Sequence, residues 1–176
     1  MNFQRARWIA ATGVVLAALV AALALRSPAH EASGKEGEVV ADFELPRITA
    51  AGVELATVDG PANHRGKPFL LHYWAPSCGP CRAELPLWQA LATQSGANFT
   101  VLTVAGDDAA DVTGYLAAQH MTLPVVWDDS GAGHRALNVW GIPHTFAISR
   151  AGVIVRDLEG AQSAATLQAA LAAASR

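Results

Sequence analysis

Phe69-Leu70-Leu71-His72-Tyr73-Trp74-Ala75-Pro76-Ser77-Cys78-Gly79-Pro80-Cys81-Arg82-Ala83-Glu84-Leu85-Pro86 decides how this chain is read. The run from Phe69 to Trp74 is apolar and aromatic, the pattern of a buried strand. From Arg82 to Gln94 the composition turns helical. Between them stand the two cysteines of the protein, two residues apart. Cysteines placed at a strand-to-helix turn can close a small disulfide ring and open it again. A helix N-terminus favours negative charge, and so favours a thiolate at Cys78. Pro80 suits the first turn, where its missing N–H leaves no bond unmade. Cys78 is therefore expected to be the exposed, attacking sulfur, and Cys81, about one turn further in, the resolving one.

Cys-x-x-Cys admits two other readings. Tetrahedral zinc requires four ligands, and no second cysteine pair exists. A purely structural disulfide closing so short a loop constrains the unfolded chain little. Redox activity is the reading that fits a Cys-x-x-Cys beside a βαβ pattern.

The 176 residues suffice for one domain and a small appendage. Formal charge is -3, and residues 1–29 hold Arg5, Arg7 and Arg26 without an acid. The remainder thus carries 9 basic and 15 acidic side chains, a balance of -6. Such a surface argues against nucleic acid as a partner, since phosphate binding wants a basic face. Trp8 to Leu25 is an uncharged run of 18 residues. A signal-peptide core takes roughly 7–15 residues and a spanning helix about 17–25, so the run reads as a membrane anchor, with a cleaved signal as the alternative. Two arginines before the run and one after it orient the following domain outward. Both readings export that domain to an oxidising compartment. Residues 30–38 read as a flexible tether, and 39–176 as the domain itself.

Within the domain, Val39–Arg47 and Val53–Thr57 have strand character around an Ala51-Gly52 turn. After a loop from Asp59 to Lys67, strand and helix alternate. The expected elements are strand 69–74, helix 79–94 with Pro86 inside it, strand 99–105 and helix 109–120 behind an Asp107-Asp108 cap. A strand at 123–127 and a short helix at 133–139 follow. A hairpin of 145–149 and 153–158 turns at Arg150-Ala151-Gly152, and an amphipathic helix at 164–174 closes the chain. That alternation predicts an α/β domain with helices packed on a largely parallel sheet.

Trp74-Ala75-Pro76-Ser77-Cys78-Gly79-Pro80-Cys81 resembles the active site of the thioredoxin fold. The continuation Arg82-Ala83-Glu84-Leu85-Pro86 resembles the TlpA/ResA/CcmG-type branch of membrane-tethered thiol-disulfide oxidoreductases. Ala41-Asp42-Phe43-Glu44-Leu45 and Gly141-Ile142-Pro143-His144-Thr145-Phe146 extend the resemblance over roughly 39–174. One departure is Ser77, where the family usually has Trp; it alters the docking surface and leaves the chemistry intact. The resemblance implies a thioredoxin-like fold with an N-terminal β-hairpin extension, preceded by a single N-terminal hydrophobic helix. It implies a cis Pro143 facing the disulfide, with the Ile142 backbone pairing with the substrate chain. It implies that Glu84, one turn beyond Cys81, handles the Cys81 proton; spacing alone leaves Glu84 an ordinary solvated helix charge. Trp74 is expected to pack under the active-site turn and His144 to line the groove. His72 stands where thioredoxin has a buried acid; a core histidine and a proton relay are both open.

The remaining histidines form no metal spacing. A copper carrier built on Cys78, Cys81 and a histidine is the alternative from another class. Peroxidatic chemistry is disfavoured, because the Pro-x-x-x-Thr-x-x-Cys pattern would need Pro and Thr at the positions of Leu71 and Ala75. The expected function is therefore periplasmic thiol-disulfide exchange with partner protein cysteines, without a cofactor. Gly79-Pro80 points to a reductant supplied by an integral-membrane thiol donor; a disulfide oxidase or a copper-stress thiol protein is the alternative.

Overall fold

The computed structural model describes residues 34–96 and 98–176. The expected anchor at 8–25 lies outside the described residues. Among those described, no helix is long and apolar enough to cross a membrane.

Seven strands form one sheet in the order β2-β1-β5-β4-β3-β6-β7. They are β1 (Leu45–Thr49), β2 (Gly52–Asp59), β3 (Phe69–Trp74), β4 (Thr100–Ala105), β5 (Val125–Trp127), β6 (His144–Ile148) and β7 (Ile154–Glu159). Among the described residues four helices accompany them: α1 (Gly79–Gln94), α2 (Ala109–Ala118), α3 (Ala132–Ala136) and α4 (Ala164–Ala174). A 3-10 turn occupies Pro61–His64. Strand β3 lies parallel to β4, and β4 to β5; the other four pairings are antiparallel. The sheet is thus mixed, which corrects the expectation of a largely parallel one. Alternation with helices reports only the central βαβ units, and the added hairpins at both edges pair antiparallel.

The N-terminal hairpin is present but shifted. Val39–Arg47 does not run as one strand: Val39 bridges Val153, and the Val40 N–H donates to Gly152 O at 2.8 Å. Pairing with β2 begins at Leu45, and its register slips beside Pro46, which has no N–H to give. Helices α1 and α4 begin and end where the sequence predicts. Asp108 caps α2 by accepting from the Ala110 N–H at 2.8 Å.

The sheet buries both faces. Leu70, His72 and Trp74 of β3 point to one side, where α1, α2 and α4 supply Leu85, Trp88, Val112, Leu116 and Leu167. Phe69, Leu71 and Tyr73 point to the other, among Leu102, Val104, Phe146, Ile148 and Leu137. Every residue of β3 is buried. A strand with no solvated face reads as a continuous apolar run, which is why it stood out in the sequence. It is also why a histidine in its middle is unusual.

Candidate active site

The end of β3 delivers the chain to α1 across Ala75-Pro76-Ser77, and this turn is fixed from several sides. Cys78 N–H donates to Ala75 O at 3.1 Å, Ser77 N–H to Asp107 Oδ2 at 3.0 Å, and Arg82 Nη1 to Pro76 O at 2.7 Å. Asp107 is itself held by the Trp127 indole N–H, which donates to its carbonyl at 3.0 Å. Cys78 then occupies the N-cap position of α1. Its sulfur accepts from the Cys81 N–H at 3.2 Å, the contact through which a helix start favours a thiolate.

Cys78 and Cys81 are joined by a disulfide with S–S 2.06 Å. Cys78 is half-buried, while Cys81 is 0% exposed, so only the first sulfur is open to a partner. The Ile142–Pro143 peptide is cis, and Ile142 O lies 3.8 Å from the Cys78 sulfur. Two cavities flank this loop. One of about 260 Å³ is bounded by Trp140, Ile142, Pro143 and Glu159; the other, of about 360 Å³, by Trp74, Asp107, Asp128, His134, Trp140 and Ile142. Trp140 is 84% exposed and Ile142 39%, an apolar rim beside the reactive sulfur. From sequence Trp140 reads as a core or surface aromatic and not as a site residue; its place two residues before Ile142 was the available signal.

Under the disulfide lies a second constellation. Glu84 is not solvated: it is 6% exposed. Its Oε2 accepts from the Gln162 N–H at 2.8 Å, and its Oε1 lies 3.2 Å from Nε2 of His72. That last approach is off-line, so neither atom completes a hydrogen bond. The other ring nitrogen of His72, Nδ1, is 3.0 Å from the Thr145 hydroxyl. The ring stacks on Trp88 with centroids 4.2 Å apart. Burial pushes the Glu84 carboxyl above its ordinary value, against the pull of the Gln162 N–H and a weaker one from Trp88. Burial likewise drives His72 down to about 3, helped by the proximity of the His144 side chain and opposed by a hydrogen bond with the His144 backbone. His72 is therefore neutral at physiological pH.

Trp74 packs beneath the turn and borders the larger cavity. His144 departs from expectation. Strand alternation turns it into the opposite face of the sheet, where it stacks on Phe146 and its Nε2 is engaged by the Asp157 carboxylate. It is buried and borders neither cavity, so the groove is lined by Trp140 and Ile142 without it. Among the described residues no group of three or more His, Cys, Asp or Glu side chains is placed to hold a metal.

The AhpC/TSA family pattern matches residues 37–156. The chain belongs to the AhpC/TSA family. The thiol:disulfide interchange protein DsbE of Pseudomonas fluorescens biotype C is 33% identical over 157 residues, covering 84% of this chain and 82% of that protein. The thiol-disulfide oxidoreductase ResA of Oceanobacillus iheyensis is 26% identical, covering 84% of this chain and 77% of its own length. A crystal structure of a putative thiol:disulfide interchange protein DsbE from Chlorobium tepidum superimposes with TM-score 0.71 at 28% identity, covering 82% of this chain and all of that one. These relatives and the Cys78–Cys81 pair make this member of the AhpC/TSA family a thiol-disulfide oxidoreductase of the TlpA/ResA/CcmG type with a thioredoxin-like fold.

Proposed function

We propose that the domain is an extracytoplasmic reductant of partner protein disulfides, held at the membrane by residues 8–25. The observation that carries this reading is how little holds a thiolate at Cys78. One backbone N–H, that of Cys81, reaches its sulfur. Arg82 spends a guanidinium N–H on Pro76 O, and His72 is neutral and buried. A strong oxidant needs its reduced thiolate heavily stabilised, and Gly79-Pro80 adds no charge between the cysteines.

In the forward reaction the Cys78 thiolate attacks a partner disulfide. It bonds to one partner sulfur and expels the other as a thiolate. The Ile142 backbone, beside the sulfur, pairs with the partner chain. Cys81 then loses its proton to Glu84 and attacks Cys78 Sγ. The Cys78–Cys81 bond forms, the mixed disulfide breaks, and the partner leaves as a thiolate that picks up a proton. Two electrons pass from the domain to the partner. A carboxyl group raised by burial above its ordinary value is the better acceptor for a proton that a thiol must give up and regain. Electrons return from an integral-membrane thiol donor, which a tether keeps within reach.

Equilibration of the domain with glutathione or dithiothreitol buffers tests the direction. A potential near that of thioredoxin, about -270 mV, is expected. A value above about -200 mV, in the range of the isomerase and the oxidant, overturns the reductant reading in favour of an oxidase.

A further inference from the structure

The exchange steps above leave His72 without a task, yet its surroundings are not those of an ordinary core histidine. Such a residue satisfies one nitrogen and turns the other to solvent or to a carbonyl. Here Nδ1 meets the Thr145 hydroxyl at 3.0 Å, and Nε2 lies 3.2 Å from Glu84 Oε1 without the alignment of a hydrogen bond, while the ring also interacts with the His144 backbone and the carboxyl group with the Trp88 side chain. Stacking on Trp88 fixes the plane of the ring. Glu84 is tied by its other oxygen to the Gln162 N–H, which leaves Oε1 facing the ring.

We propose that His72 is the positioning residue of the proton-transfer site: with Thr145 donating to Nδ1, the proton sits on Nε2, and a small turn of the carboxyl group from its off-line approach brings Glu84 Oε1 onto that N–H, holding the carboxylate ready to take the Cys81 proton. The imidazole stays neutral throughout. It receives no proton from Cys81; it supplies the hydrogen bond that lets a carboxylate exist away from water. Cys81 and Glu84, three residues apart on α1, share a face of the helix, which puts acceptor and donor within one turn. The titratable groups nearest the ring are Glu84 on α1, with Cys81 one turn before it, and His144 on β6, which also disfavours a cation at His72. Neutral neighbours complete the shell: Thr103 of β4, whose hydroxyl is given to Pro124 O, and Thr145 of β6.

The inference rests on Glu84 as the acceptor of the Cys81 proton, and the test separates the two. A mixed disulfide between Cys78 and a model peptide thiol is formed, and its resolution by Cys81 is followed in single turnover against pH. His72→Leu removes the donor, and His72→Gln restores an N–H at the ε position. His72→Leu is expected to move the midpoint of the profile upward by about one unit, roughly tenfold slower at pH 7. His72→Gln is expected to return it to within about twofold of the parent, while formation of the mixed disulfide by Cys78 is unchanged in both. If Glu84→Gln shifts the profile and His72→Leu does not, the role of His72 is overturned and that of Glu84 stands. If Glu84→Gln also has no effect, the acceptor reading fails first. A His72→Gln profile displaced as far as that of His72→Leu likewise overturns the proposal, because a packing defect would then suffice. Should His72→Leu not fold, the ¹⁵N shift of His72 Nε2 is followed in the parent protein as Glu84 titrates. A shift that tracks the carboxyl supports the pairing, and one indifferent to it overturns it.

Discussion

Replacing His72 by Gln should flatten the acid side of the stability curve. In the unfolded chain His72 protonates below about 6.5, whereas in the folded domain it resists protonation down to about 3. Between those values the unfolded state binds more protons, so stability falls as pH falls, by up to about 1.4 kcal/mol per pH unit. Integrated from pH 7 to pH 5 with those two constants, the His72 contribution is about 2 kcal/mol. For a domain of this size that is a fall of roughly 4–8 °C in Tm. Glu84 acts with the opposite sign. Its raised carboxyl lets the folded domain take up a proton before the unfolded chain does, which favours the folded state in acid and is lost as pH rises through the folded value. Because Gln offers Glu84 the same kind of N–H, the difference between parent and His72→Gln isolates the histidine. Urea titrations at pH 7, 6 and 5 provide the measurement. The parent should lose about 2 kcal/mol more than the variant over that range. Parallel curves would refute the reasoning, since they would mean that His72 is solvated or protonated in the folded domain.

Cys81→Ser should leave the attack intact and remove the resolving sulfur, so partner proteins accumulate as mixed disulfides on Cys78; mass spectrometry of reducible adducts reads this out, and adducts on a Cys78→Ser variant instead would reverse the assigned roles. Gly133→Ala should destabilise the domain by about 1–3 kcal/mol. A Cβ there would stand 2.6 Å from the Tyr73 hydroxyl and 3.1 Å from the Phe43 ring, and thermal melts should show the loss while the redox potential stays put.

Much of the fold was legible because its signals are local. The apolar run of β3, the Asp108 cap and the alternation through α1 and β4 each lie within a few consecutive residues. The direction of the strands was less legible. β3, β4 and β5 are joined by helices and run parallel, but β1 pairs with β5 across most of the domain, and no local pattern records that partner. The Val39–Arg47 run failed for a related reason. Its first residues satisfy their backbone against the turn leading into β7, more than a hundred positions away.

The site divides in the same way, and the division follows from what each part must do. The sulfurs have to meet each other and a partner, which a three-residue spacing on a helix start secures by itself. The buried pair of Glu84 and His72 has to be kept from water, which only the packed sheet can arrange. His72 and Glu84 come from β3 and α1, Thr145 from β6 and Gln162 from the segment before α4, at separations of 73 residues for the histidine–threonine contact and 78 for the glutamate–glutamine contact. Helical spacing placed Glu84 near Cys81 but said nothing of its burial, and burial is what raises its carboxyl above the ordinary value. His144 shows the converse. Its place next to Pro143 suggested a groove residue, yet one step along an alternating strand sends the side chain through the sheet to Asp157. Chemistry carried by neighbours in sequence was readable from the chain, and chemistry that depends on exclusion of water became readable only once the strands were paired.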